Sequence, residues 1–190
     1  MLAISTTKMR ASQYLMLGED PPGVRLELVD GQIAIGPGIT PGHSHVNNSL
    51  SCILLGHIEN NGLGMLLGSI DVVFGEYDVR RPDIIYFRKD RAHLIREDDA
   101  IDGPPDLCIE ILSPRSETID REDKFKQYAA GRVLYYWIID PMLRTIEAFR
   151  LVRGSYRECG RGQGNAEVSL PPFGNLKLPL GKIWFPSKRK

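Results

Sequence analysis

The chain has 190 residues, enough for one domain with a real core and short for two. A hydrophobic fraction of 42% and a charged fraction of 25% exclude disordered and fibrous classes. The 24 Lys and Arg balance 24 Asp and Glu, so bulk charge draws no nucleic acid, and any such contact needs a local basic surface or a metal.

A short helix is expected from Thr7 to Leu17, closed by the Pro21-Pro22-Gly23 turn. VRLELVDGQIAI then alternates and reads as a β-hairpin about the Asp30-Gly31 turn, with Val24, Leu26 and Leu28 on one face. Glu27 falls on the other face, where a solvent-facing strand residue is expected. After the Gly/Pro loop, Val46, Leu50, Ile53, Leu54 and Ile58 recur at three- and four-residue steps and predict an amphipathic helix from Ser44 to Asn60, with Ser44 as N-cap. His43 and His45 read as a polar helix entrance.

GLGMLLGSIDVVFG predicts two strands broken at Gly68, and VRRPDIIYF a third short strand. Pro82 restricts that strand to an edge or a beginning, which puts Asp83 at a strand start or a kink. Residues 88–105 read as a connecting loop with one helical turn. LCIEIL is a strand stopped by Ser113-Pro114, and a helix over 119–130 follows, its acidic first turn of Asp120, Glu122 and Asp123 suiting the positive end of the helix dipole and Gly131 ending it. VLYYWIID has the continuous apolar character of a strand buried on both faces, so 106–139 forms a βαβ unit. RTIEAFRL and Ser155 to Cys159 add a strand pair. The Gly-rich GRGQGN neither follows a strand nor opens a helix in the manner of a phosphate loop, and an apolar tail follows from Leu176 to Phe185.

This order gives an α+β (α/β) fold around one central mixed sheet. Cys52, Cys108 and Cys159 are odd in number and widely spaced, which argues against a disulfide framework or zinc site; the first two read as small core hydrophobes. No membrane span or signal segment is visible, and a cytoplasmic location is expected. Lys188, Arg189 and Lys190 read as a solvated tail.

Glu110 is the residue that demands explanation, because a carboxylate inside an apolar strand is costly unless something pairs with it. Asp83 on a neighbouring strand and Lys124 on the following helix complete a constellation. Two carboxylates can share a hard divalent cation such as Mg²⁺ with water and a substrate phosphate, and a lysine can activate the attacking water or stabilise charge on phosphorus.

RPDIIYF, PDLCIEILSP and DREDKFKQYAAGRVLYYWIIDP, together with LELVDGQI, resemble the Uma-two-type family of restriction-endonuclease-like proteins within the PD-(D/E)XK nuclease superfamily. The resemblance covers residues 26–151. It implies a restriction-endonuclease-like αβββαβ core whose first helix is 44–60, preceded by the hairpin, and a metal-dependent DNA endonuclease using Mg²⁺ or Mn²⁺. It implies Asp83 and Glu110 as metal ligands, with the Ile111 carbonyl as a further ligand and Asp83, Glu110 and Lys124 as the catalytic set. Where the superfamily expects a lysine two residues after the acid, Leu112 stands; in this family the lysine is thought to lie on the next helix. Helical geometry alone does not choose between Lys124 and Lys126, which flank Phe125 symmetrically; the family's spacing to Tyr128 favours Lys124. The long gap between Asp83 and Glu110 requires 88–105 to be an excursion. Glu27 and His45 match family positions that could line the same cleft. One domain over 1–190 is expected, with the nuclease-like core at 24–151 and an extension at 152–190. The partner would be DNA, and a homodimer would supply two sites for two strands. The rival reading is a nuclease fold kept as a DNA- or partner-binding module, with Glu110 neutralised by a buried cation such as Lys124.

Overall fold

Alternation along the apolar strands sets the architecture. The computed structural model describes residues 8–36, 38–114 and 117–186; the basic tail and the first residue of the expected N-terminal helix lie outside them. The elements in order are α1 (Ala11–Leu15), β1 (Arg25–Val29), β2 (Gln32–Gly36), α2 (Pro41–Asn61), β3 (Gly64–Gly68), β4 (Val72–Gly75), β5 (Asp78–Arg80), β6 (Ile84–Arg88), β7 (Ile101–Asp102), β8 (Leu107–Ile111), α3 (Lys124–Ala130), β9 (Tyr135–Asp140), β10 (Thr145–Val152), β11 (Ser155–Gln163), β12 (Glu167–Val168) and β13 (Leu178–Pro179).

The main sheet has six strands in the order β11-β10-β9-β8-β6-β3, with β8 and β9 parallel and the other neighbours antiparallel. It is the expected mixed sheet, and α2-β3-β6-β8-α3-β9 reads out the expected αβββαβ order. Successive residues of a strand point to opposite faces, and both faces here are covered. Ile84, Tyr86, Leu107, Ile109 and Ile111 pack with Val46, Leu50, Leu54 and Ile58 of α2 on one side. Ile85, Phe87, Cys108 and Leu112 pack with Tyr128 of α3 on the other. Glu110 shares the parity of Cys108 and Leu112 and therefore points toward α3.

The expectation of one sheet is corrected by a second, five-stranded sheet ordered β2-β1-β5-β4-β7. VRRPDIIYF is not one strand: β5 belongs to the second sheet and β6 to the main one. Pro82 offers no N–H for a ladder at the break, while Arg81 is fixed there by Asp71 at 2.8 Å and Asp20 at 2.5 Å. Asp83 therefore sits where the chain passes between sheets. Residues 88–105 are the excursion the spacing required, with a 3₁₀ turn over Lys89–Leu94 and a return to the second sheet as β7.

The first long helix begins earlier than expected. Thr40, not Ser44, is the N-cap; its hydroxyl accepts the His43 N–H at 3.2 Å, and Pro41 follows where its missing N–H costs nothing. Cys52 is exposed rather than a core residue, whereas Cys108 is fully buried. β11 runs through the first part of the Gly-rich segment because the tail lies against it. A Cβ at Gly160 would meet a Leu170 methyl at 2.5 Å, so a side chain there would have to push Leu170 aside, where it closes with Leu178, Leu180, Ile183 and Trp184 over the α2 side of the sheet. No helix among the described residues is long and apolar enough to cross a membrane.

Candidate active site

A narrow cleft, with room for only about 60 Å³ of solvent, opens where the hairpin, the start of α2, the ends of β6 and β8 and the lead-in to α3 meet. It is lined by four carboxylates, Glu27, Asp83, Glu110 and Asp120, and by Arg25, Arg80, Lys124 and His43. With three permanent cations against four carboxylates, the cleft holds more acid than fixed positive charge.

Glu110 is 2% exposed. Its Oε1 accepts the Tyr128 hydroxyl at 2.6 Å, and its Oε2 lies 2.9 Å from Lys124 Nζ. Lys124 and Tyr128 are four residues apart on one face of α3, the spacing that brings both onto the strand acid. A π turn over Ile119–Asp123, closed by the Lys124 N–H to the Ile119 carbonyl, precedes α3 and presents Asp120 to the same lysine at 3.2 Å. Lys124 Nζ is also 3.8 Å from Glu27 Oε1. Lys126 is exposed, so of the two lysines only Lys124 enters the cleft.

Asp83 is 3% exposed and saturated with donors. Oδ1 accepts from Arg25 Nη1 at 3.1 Å, while Oδ2 accepts the Ile111 N–H at 2.8 Å and lies 3.0 Å from His43 Nε2. The bond to Ile111 ties the start of β6 to the end of β8, and so ties Asp83 to the strand that carries Glu110.

The two acids are driven apart electrostatically. Burial works to raise Asp83, but the His43 hydrogen bond and the charges of His43, Arg25 and Lys124 outweigh it and bring the carboxyl down to about 2. Burial dominates at Glu110 and, with Asp120 and Asp83 adding to it against Lys124, pushes that carboxyl up to about 8. Lys124 is raised because the four surrounding carboxylates overcome the penalty of burying it. Glu110 is thus the acid whose burial its charged partners do not offset.

Glu27 is not the solvent-facing residue its alternation suggested. It lies opposite Leu28 and Leu26 as expected, but that face meets β5 and α3 rather than water, leaving Glu27 5% exposed. Arg80 Nη1 bonds Oε2 at 2.9 Å and the Arg81 N–H bonds Oε1 at 3.1 Å. His45 is not in the cleft; its ring packs edge-on against Phe185. The histidine that reaches Asp83 is His43, which a shift of the helix start to Thr40 places on N3. Arg25 and Arg80 were not singled out by sequence; His43 was read only as part of a polar helix entrance and Asp120 only as a first-turn acid, although its i to i+4 spacing from Lys124 was a signal.

The cleft's acids supply carboxylate oxygen, the donor type that a hard cation such as Mg²⁺ or Mn²⁺ takes, although each oxygen of Asp83 and Glu110 has a protein donor here. Among the described residues no group of three or more His, Cys, Asp or Glu side chains converges to hold a metal by protein alone. Two carboxylates completed by water and substrate oxygens are the usual Mg²⁺ arrangement, and the excess of acid in the cleft is in keeping with that.

Residues 11–181 match the family model Uma2, described as "Putative restriction endonuclease". A solved structure from Anabaena variabilis ATCC 29413, described as a putative nuclease belonging to DUF820, superposes with a TM-score of 0.75 at 22% identity, covering 93% of this chain and 97% of that one. At that identity the likeness speaks to fold. No curated protein matches this chain.

Proposed function

Because the chain belongs to the Uma2 family of restriction-endonuclease-like proteins, we propose that it is a metal-dependent DNA endonuclease that hydrolyses phosphodiester bonds at a PD-(D/E)XK-type site. The observation that carries this reading is Lys124 Nζ at 2.9 Å from Glu110 Oε2 in the cleft that also holds Asp83. A lysine from α3 is thereby in contact with the strand acid, although Leu112 stands two residues after it.

Asp83 and Glu110 would hold Mg²⁺ or Mn²⁺, with the Ile111 carbonyl as a further oxygen ligand; the bound cation would supply Lewis-acid polarisation of the phosphate and a more acidic water. Lys124, held between Glu110 and Asp120, orients the nucleophilic water or donates to a phosphate oxygen. Tyr128 fixes the Glu110 carboxylate, and His43 and the Ile111 N–H fix that of Asp83. Residues 24–151 form the nuclease core in this reading and 152–190 the extension, of which Leu170, Leu178, Leu180, Ile183 and Trp184 cover α2's side of the sheet. A cytoplasmic homodimer would present two such sites to the two strands of a duplex.

Incubation of supercoiled plasmid with Mg²⁺ tests it: wild type should nick or linearise the DNA, and Glu110→Ala and Lys124→Ala should not. Equal cleavage by all three would sink the assignment. One observation favours the rival reading of a binding module without catalysis: every oxygen of Asp83 and Glu110 is already engaged by a protein donor. A chain that binds duplex DNA yet neither cuts it nor responds to Mg²⁺ or Mn²⁺ would be that module.

A further inference from the structure

Arg25 is the odd residue of the cleft. Its Nη1 bonds Asp83, yet its Nε and Nη2 are buried without any hydrogen-bond partner. Leaving buried donors unpaired is costly, and a guanidinium carries its donors in a fixed fork that matches a carboxylate or a phosphate. A second buried polar group stands beside it. His43 is 7% exposed, reaches Asp83 through Nε2, and has no partner at Nδ1.

His43 belongs to the first turn of α2, a 21-residue helix whose first turn contains no acidic residue, so the positive end of its dipole is not neutralised locally. Gly38 and Ile39, just before that helix, line the same cleft. A forked cation with two buried, unpartnered donors, a buried imidazole with an unpartnered nitrogen and a helix N-terminus lie together in the lining of one cleft, which is the chemistry of a phosphodiester oxygen once the Arg25 side chain turns outward.

We infer that Arg25 is a substrate-operated latch on Asp83: its guanidinium is shared between Asp83 and a DNA phosphate, and the arriving phosphate draws it off the acid and frees Oδ1. The inference rests on the nuclease reading of the cleft and adds its regulation. In the free protein the latch holds Asp83 closed against a cation. Once the phosphate engages Nε and Nη2, the guanidinium charge is satisfied elsewhere and Asp83 becomes available as the substrate arrives. Binding of DNA and of the cation then favour one another, with Arg25 as the residue both depend on.

A latch makes Arg25→Gln shift two affinities in opposite directions. Fluorescence anisotropy with a fluorescein-labelled mixed-sequence DNA duplex in EDTA should show binding weakened by about tenfold, with a salt dependence shallower by about one unit of slope. Calorimetric titration with Mn²⁺ in the absence of DNA should show tighter binding than wild type, by at least about fivefold. Arg25→Lys keeps the charge but not the fork and should move both affinities the same ways by less, which preserves the test if the glutamine variant does not fold. Exposed Arg157→Gln is the control and should change neither. If both affinities fall together in the Arg25 variants, or neither moves, the latch is overturned while the nuclease reading stands. A wild-type chain binding neither the duplex nor Mn²⁺ would overturn both.

Discussion

Lys124 on α3 and Glu110 on β8 meet at 2.9 Å because a strand and the helix that follows it are folded back onto one face of the sheet. Strand parity aims Glu110 at α3, and the helical repeat aims Lys124 and Tyr128 back at Glu110. Neither geometry needs the lysine to lie on the strand itself; α3 brings the Lys124 amine to the strand acid across the same face of the sheet.

The pairing predicts a sharp asymmetry between neighbouring lysines. Lys124→Ala leaves buried carboxylates without their shared cation and should cost about 3–5 kcal/mol of stability as well as any cleavage activity. Lys126→Ala removes an exposed charge and should stay within about 0.5 kcal/mol of wild type with activity intact. Urea denaturation with a parallel plasmid-nicking assay reads both; comparable losses in the two variants would reassign the lysine.

Sequence carried the site only where a residue's own neighbours report its surroundings. Glu110 was visible because it interrupts an apolar strand, Asp83 because Pro82 precedes it, and the βαβ unit of 106–139 because its elements announce their periods, whereas the full αβββαβ order came from the family resemblance. The contacts of Arg25 and His43 with Asp83 were not visible, since Asp83 is distant in sequence and brought near by the crossing between two sheets. Glu27 shows the same limit from the other side. Alternation correctly put it opposite the leucines, but alternation says which face a residue occupies and not whether water or Arg80 covers that face.

The early start of α2 is testable at the cap. Thr40→Ala removes the acceptor for the His43 N–H and should destabilise the protein by about 1 kcal/mol, whereas Ser44→Ala, inside the first turns, should cost a few tenths at most. Thermal melts of the two variants separate them. A larger loss at Ser44 would restore it as the helix start and move His43 out of the helix.

Acid should weaken the ion pairs that Glu27 makes with Arg80 of its own sheet and with Lys124 of α3. Burial works to raise this carboxyl, but Lys124, Arg80 and the Arg81 N–H more than offset that, so its folded value is lowered from 4.5. A lowered acid contributes stability that is present above the unfolded value and is lost as pH falls through the folded one. Wild type should therefore lose stability on going below about pH 4.5 more steeply than Glu27→Gln, which has no carboxylate to protonate. At neutral pH Glu27→Ala should cost about 3 kcal/mol because it strands Arg80. Denaturation at pH 7 and pH 3.5 gives the comparison, and parallel pH profiles for wild type and Glu27→Gln would show that Glu27 is not held as an ion.

If Asp83 and Glu110 hold a divalent cation, binding must stabilise the folded state by mass action. At a Mn²⁺ concentration a hundredfold above its dissociation constant the gain is about 2.7 kcal/mol. For a chain of this size each kcal/mol moves the midpoint by about 2–4 °C, so Tm should rise by roughly 5–10 °C. Asp83→Asn keeps a side chain of the same shape that can still accept the Ile111 N–H, but it removes the charge a hard cation requires. The variant should melt somewhat lower than wild type, since Arg25 loses its ionic partner, and its Tm should not respond to Mn²⁺. Its far-ultraviolet circular dichroism should match that of wild type, which separates loss of the site from loss of the fold. A Mn²⁺-dependent rise of equal size in both proteins would place the cation away from Asp83, and Glu110→Gln would then be the variant that tells whether β8 holds it at all.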